Sequence, residues 1–313
     1  MKLLRGKGLR AGDAVGVIAP SSGFDPAALS RGIAALEGRG FRVKRGTHLD
    51  ARADQYFAGT AQQRADDLHA MFADKDVAAV LCARGGYGSQ SLLPLLDFDL
   101  IRANPKPLVG CSDITALQLL LLDRCGLVSL HGPMIAGDFA RDNGVDDASW
   151  HACISGTSGW KLGAESGLQT LQEGAASGML WGGCLSLLVS SLATPFELLP
   201  AHGEDILLFV EDVSEKPYKI ERMMQQWRAA GKMERVKGII FGEMLDCEQP
   251  GSSYKLADVL RRMFQDFDGP VAFGLRSGHV SRHNVTLPLG ASATLECGEN
   301  ADLTFHNGAT LPA

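Results

Sequence analysis

Gly110, Cys111, Ser112 and Asp113 stand where an apolar run stops and a helical pattern begins. Pro107, Leu108 and Val109 lead in; Ile114, Leu117, Leu120 and Leu121 lead out at helical spacing. A serine on a sharp strand-to-helix turn presents its hydroxyl beside backbone N–H groups, the geometry a serine nucleophile uses. The same residues have a plainer reading, because serine at a helix start is commonly an N-cap worth about 1 kcal/mol. Cys111 is a rival nucleophile. Side chains alternate along a strand, so Cys111 is expected to face the core while Ser112 faces the other way.

A serine nucleophile needs a base and a carboxylate behind it. In open α/β sheets, ligands collect beyond the carboxyl ends of strands. Four segments follow apolar runs in that way: Arg84-Gly85-Gly86-Tyr87-Gly88, Ser112-Asp113, Glu211-Asp212 and Arg276-Ser277-Gly278-His279. Among eight histidines, His279 follows a strand and a Ser-Gly turn, with Asn284 nearby. His131 and His283 compete for the same role. An imidazole pKa of about 6.5 lets any of them accept a serine proton at neutral pH. Glu211 ends the most apolar run of the second half and would hold the histidine's other ring N–H, with Asp212 and Glu243 as alternatives. The glycines after Arg84 admit positive φ and close backbone approach. They suit an oxyanion hole, a phosphate-cradling loop or simply a tight turn, although neither GxxxxGK[ST] nor GxGxxG is present. There is no HExxH and no Cys/His cluster with ligand spacing, so neither a metal nor a cofactor is expected.

These residues need elements to hold them. The first half alternates strands at 14–19, 41–44, 77–82, 107–110 and 127–130 with helices at 25–36, capped by Asp25 with Pro26 at its first position, and 61–72. Such alternation implies right-handed crossovers and a parallel sheet. Residues 142–177 turn small and polar and read as an inter-domain connection that could serve as a lid. A helix is expected to open at Trp181-Gly182-Gly183-Cys184-Leu185 and run to 192. Strands follow at 206–210, 236–241 and 271–273. Helices are expected at 218–228, with Ile220, Met223, Met224 and Trp227 as a core stripe, and at 256–264. Residues 286–289 and 293–295 read as an antiparallel pair about Gly290. The expected class is α/β in two domains: residues 1–141 carrying the nucleophile, a connection at 142–177, and a mixed α/β domain at 178–313.

Composition sets bounds. The chain of 313 residues is 45% apolar and 21% charged, as in ordinary globular proteins. Its formal charge of −6 excludes a general nucleic-acid binder. Seven scattered cysteines without a C-x-x-C pair read as reduced thiols in a reducing compartment. No apolar h-region follows the N-terminal charges, and no apolar run approaches the roughly 20 residues of a membrane span. A cytoplasmic protein without a membrane partner is expected.

Taken in order, Ala83-Arg84-Gly85-Gly86-Tyr87-Gly88, Gly110-Cys111-Ser112-Asp113-Ile114-Thr115-Ala116-Leu117, Leu130-His131-Gly132-Pro133-Met134, Trp181-Gly182-Gly183, Phe209-Val210-Glu211-Asp212-Val213, Glu215-Lys216-Pro217-Tyr218 and Gly278-His279 form a specific set. The chain resembles the LD-carboxypeptidase family of serine peptidases, from the Ala19-Pro20-Ser21 turn to Leu287-Pro288-Leu289-Gly290. That family includes muramoyltetrapeptide carboxypeptidases and microcin C self-immunity peptidases. The resemblance implies a triad of Ser112, His279 and Glu211, and an oxyanion hole from the N–H groups of Gly86 and Asp113. It implies a parallel-sheet first domain of flavodoxin-like or amidotransferase-like form, a mixed α/β second domain, a site between them and a homodimer. The implied reaction removes the terminal D-alanine of a murein tetrapeptide in cytoplasmic cell-wall recycling. Two positions depart from the family pattern. Cys184 replaces an asparagine, which removes a side-chain amide, and Arg276 stands where a proline is usual; its charge would bind a substrate carboxylate or lower the pKa of His279. Two other functions stay open: a microcin-type peptidase acting on an aminoacyl-nucleotide conjugate, with Trp181 stacking on the base, and a non-catalytic two-lobed binder of peptides or sugars.

Overall fold

The computed structural model describes residues 2–53, 56–200 and 203–312. Among these, the strands form one sheet of six and one of eight. In the first sheet β1 (Ala14–Ile18), β2 (Arg42–Arg45), β3 (Val77–Cys82), β4 (Leu108–Gly110) and β5 (Ser129–His131) run parallel in the order 2-1-3-4-5. The run at 77–82 is nearly all apolar because both faces of the sheet are covered. Val80 and Cys82 enter one core, while Ala79 and Leu81 enter the other. Helices α1 (Pro26–Gly38), α2 (Ala61–Ala73) and α3 (Phe98–Ala103) start where their caps dictate. Asp25 accepts the N–H groups of Ala27 and Ala28, and Thr60 and Gln63 close a capping box.

Helix α4 (Thr115–Cys125) is different. Only Asp123 and Arg124 of its 11 residues escape burial, so it is a core helix rather than a surface one. Its leucines share one core with residues of the second sheet. Gln118 is fully buried there and donates to the carbonyls of Gly110 and Leu130. Gly126 ends the helix at φ +71.

The second half differs from its reading in three places. Residues 142–177 are not a bare connection: they carry α5 (Asp147–Ser155), β6 (Trp160–Leu162) and β7 (Gln169–Gln172). Trp181–Cys184 do not open a helix. They end β8 (Gly174–Cys184), and α6 (Leu185–Ser190) begins only afterwards. The glycines are there for closeness: a Cβ on Gly183, at φ +149, would lie 2.6 Å from Thr115 Oγ1 at the start of α4. Finally, 286–289 and 293–295 do not pair with each other. β12 (Leu287–Leu289) adds antiparallel to β5 in the first sheet, whereas β13 (Ser292–Cys297) pairs with β8 and β14 (Ala301–Phe305) in the second. The chain crosses between sheets at Gly290, whose N–H donates to Leu180.

The remaining strands are β9 (Ile206–Glu211), β10 (Val236–Gly242) and β11 (Val271–Leu275), packed by α7 (Pro217–Ala229) and α8 (Leu256–Met263). The second sheet runs 6-14-13-8-9-10-11-7, with β8 to β11 parallel and the flanking strands antiparallel. Two β-strand carboxyl ends, those of β4 and β9, thus come from different sheets that share α4.

A fragment of residues 1–141 lacks β12 and leaves the outer edge of β5 and the apolar faces of α4 bare. It is expected to aggregate or to melt without cooperativity in size-exclusion and thermal-denaturation measurements. A monodisperse fragment with a sharp transition would show that β12 is dispensable to the first sheet.

Candidate active site

β4 ends at Gly110; Cys111 is still extended at φ −147, and Ser112 then turns to φ +62. A non-glycine residue rarely adopts that conformation. A 3-10 turn at Ser112–Ile114 runs directly into α4. No side chain caps either helical start, so the N-cap reading of Ser112 fails. The turn is held from behind by Asp113, which is buried. Its Oδ2 accepts the Ser21 hydroxyl at 2.6 Å and the Ser89 N–H at 2.7 Å, and its carbonyl accepts the Ser89 hydroxyl at 2.6 Å. Cys111 faces the core as expected, and burial pushes its thiol well above the ordinary range. A buried protonated thiol is a poor nucleophile.

Gly85 sits against this turn, where a Cβ would lie 2.9 Å from Ser112 Cβ; Gly86 follows at φ +99, and the next N–H, of Tyr87, donates to Ser22 Oγ at 3.0 Å. Among the described residues, the N–H groups of Gly86 and Asp113 have no protein acceptor. They are the two donors expected of an oxyanion hole.

β9 is buried along its whole length and delivers Glu211 with no exposure at all. Glu211 Oε2 accepts the ring Nδ1–H of His279 at 2.8 Å and its backbone N–H at 2.9 Å. A carboxylate can only accept, so His279 carries its proton on Nδ1 and turns a lone pair outward on Nε2. The His279 side chain is 24% exposed, so the ring is not sealed in the core as Glu211 is. The approach of the two requires Gly278: at φ +94, a Cβ there would lie 2.5 Å from Glu211 Cδ. Asn284 fixes Gly278 from both sides with the two ends of its amide: its Oδ1 accepts the Gly278 N–H and its Nδ2 donates to the Gly278 carbonyl, each at 3.0 Å.

The electrostatics follow from the burial. Burial opposes the charge on Glu211, yet the imidazoles of His279 and His131 outweigh it and hold the carboxyl well below its usual range. Burial likewise opposes charge on His279, but Glu211 overcomes it and raises the imidazole pKa. Among the described residues Ser112 and His279 are not hydrogen-bonded to one another. Catalytic contacts of this kind commonly tighten only around a substrate.

The rival residues are engaged elsewhere. His131 is fully buried, with Nδ1 3.0 Å from Ser277 Oγ and Nε2 3.8 Å from Glu211 Oε1, too long for a hydrogen bond. Asp212 accepts the N–H groups of Ser186 and Val213, and Glu243 accepts that of Ser281. His283 lines a cleft of about 550 Å³ with Arg31, Arg39 and Asp138 that contains none of Ser112, Glu211 and His279. The Arg276 guanidinium donates to the Glu165 carbonyl, and the His279 pKa is raised, with Glu211 the main group raising it. Trp181 is buried and stacks on Trp227 at 5.8 Å, so it offers no platform to a base. Cys184 sits opposite Glu211 in register and donates its N–H to Thr115 Oγ1 at 3.1 Å. Among the described residues no group of three or more His, Cys, Asp and Glu is placed to hold a metal ion, and no helix is long and apolar enough to cross a membrane.

The profile of the LD-carboxypeptidase N-terminal domain matches residues 15–132, and that of the C-terminal domain matches residues 177–295. The chain belongs to the LD-carboxypeptidase family. It is 39% identical over 297 residues to a probable murein peptide carboxypeptidase of Bacillus subtilis, covering 94% of this chain and 92% of that one. The solved structure of a muramoyltetrapeptide carboxypeptidase from Oxalobacter formigenes superposes with a TM-score of 0.83 at 28% identity, covering 96% of this chain and 100% of the other. An MccF-like protein from Bacillus anthracis superposes with the same TM-score at 26% identity, over 96% and 99% of the two chains. The family's two-domain α/β form is the one described here, and its matched segments bring in Ser112 on one side and Glu211 and His279 on the other.

Gly278→Ala is expected to destabilise the protein by about 1–3 kcal/mol, since a methyl group at positive φ would press on a buried carboxylate. Denaturant unfolding measures it. A wild-type midpoint would mean that the Glu211–Gly278 approach is not tight in solution.

Proposed function

We propose that this chain is a serine carboxypeptidase that cleaves the L,D-peptide bond between diaminopimelate and the terminal D-alanine of murein tetrapeptides. The observation that carries this reading is the Glu211–His279 pair, joined at 2.8 Å, standing with an uncapped Ser112 at φ +62. His279, oriented by Glu211, takes the proton from Ser112 as the hydroxyl attacks the carbonyl at the L-centre of diaminopimelate. The N–H groups of Gly86 and Asp113 hold the oxyanion. His279 then protonates the departing D-alanine amine, and water, activated by the same imidazole, hydrolyses the acyl-enzyme and frees Ser112.

The family membership and the murein peptide carboxypeptidases among the similar proteins support the substrate class. The nucleotide-conjugate alternative relied on Trp181, which is buried. We assign the reaction to the cytoplasm, where seven buried, unpaired cysteines suit the redox conditions, and to a homodimer.

Purified protein incubated with murein tetrapeptide is expected to release free D-alanine, and Ser112→Ala is expected to lower that rate by several orders of magnitude. Near-wild-type release by Ser112→Ala would sink the assignment. The rate should also fall with acid. His279 must be neutral to act as base, and its pKa is raised above the ordinary value of about 6.5, so the loss of kcat/KM sets in at a higher pH than a free imidazole would give. A pH-independent rate through that range would count against a histidine base.

A further inference from the structure

Glu211 spends only one of its two oxygens on His279. Its Oε1 is buried, has no hydrogen-bond partner, and faces His131 Nε2 at 3.8 Å. That nitrogen is equally buried and equally unpartnered. The other nitrogen of the ring, Nδ1, lies 3.0 Å from the hydroxyl of buried Ser277. Phe209 closes the pocket with its ring edge-on, 5.2 Å away.

The tautomer of His131 follows from this surrounding. An ionised carboxylate has no proton to offer, so the ring nitrogen that faces it must be the one that carries N–H. The opposite tautomer would set a lone pair against a negative charge where no water screens it. With Nε2 protonated, Nδ1 is a lone pair, and the Ser277 hydroxyl is the donor that satisfies it. Both neighbours are therefore compatible with a proton on Nε2.

We propose that His131 is a positioning residue for Glu211: its Nε2–H serves Oε1, holds Oε2 toward His279, and moderates the basicity of the carboxylate. This rests on the triad assigned above. At 3.8 Å the contact is electrostatic rather than a hydrogen bond, and no other partner reaches either atom. His131 ends β5 in the first sheet, whereas Glu211 ends β9 and Ser277 follows β11 in the second. The contact thus ties the orientation of the carboxylate to the seating of one sheet on the other.

The test uses the full chain. Nitrogen-15 NMR of the histidine rings in the wild-type protein is expected to show His131 protonated on Nε2; a ring whose only proton is on Nδ1 overturns the proposal. In His131→Leu, a carboxylate relieved of a donor is a stronger base and holds the imidazolium more tightly, so the His279 titration moves to higher pH. The other groups facing His279 are Asp212 and Asp138, with Glu243 on the following loop, and all are left in place. We expect kcat to fall roughly tenfold or more with KM little changed, and His131→Gln, which returns an N–H near Nε2, to recover most of it. A folded His131→Leu with the wild-type titration and kcat overturns the proposal. Should that variant not fold, the ring spectrum of the wild-type protein decides by itself: a His131 whose only ring proton is on Nδ1 overturns the proposal. The titration is read without substrate. A protein that releases no D-alanine would therefore count against the proposed function and leave His131 to be judged on its own.

Discussion

The charge on Glu211 has no water. Placing an ionised carboxylate where nothing of it is exposed costs several kcal/mol even after the surroundings relax, unless donors replace the solvent. The replacement is specific: a ring N–H and a backbone N–H from the same residue, His279, both on one oxygen, and a second imidazole beside the other. Meeting that demand shapes much of the second half. It requires a loop that can lie flat on the carboxylate, hence Gly278, and an amide that keeps the loop there, hence Asn284. The arrangement that makes burial tolerable is also the one that fixes the histidine's tautomer and raises its basicity, so stability and chemistry make the same request.

Strain at Ser112 is the counterpart in the first sheet. A positive φ at a residue with a side chain costs about 1–3 kcal/mol and survives only where neighbours over-determine it. Here they do. Asp113 ties the turn to Ser21 and Ser89, and α4 carries it into a core that both sheets share. Because α4 is buried nearly all round, the turn cannot relax without disturbing the packing of both halves. The proposed nucleophile and its proposed base therefore come from separate sheets yet rest on one helix.

Much of the first sheet was legible. Continuous apolar runs, and a helix start marked by a cap such as Asp25, encode their own limits, because a cap or a buried strand is a local requirement. The second half was less so. Residues 174–178 look like a linker by composition, but small residues also suit an edge where β13 lies alongside. Gly182 and Gly183 look like a helix entrance but serve close approach to another strand and to α4. The run at 287–289 looks like half of a hairpin but pairs with β5, more than a hundred residues earlier in the chain. Each error has one cause: the deciding neighbour is distant in sequence.

The site divides along the same line. The sequence alone determined the chemical inventory, namely a serine at a strand-to-helix turn, a glutamate ending an apolar strand, a histidine after a Ser-Gly turn, and the ordered motifs that place them in one family. Whether Ser112 caps the helix, which partner each histidine meets and which way the His279 pKa moves were decided only by the tertiary structure, because a capping bond, a tautomer and a shifted pKa belong to pairs of groups rather than to residues. Ser112 makes no cap, His279 donates its ring N–H to Glu211 Oε2, and His131 lies beside the other oxygen, out of reach of solvent.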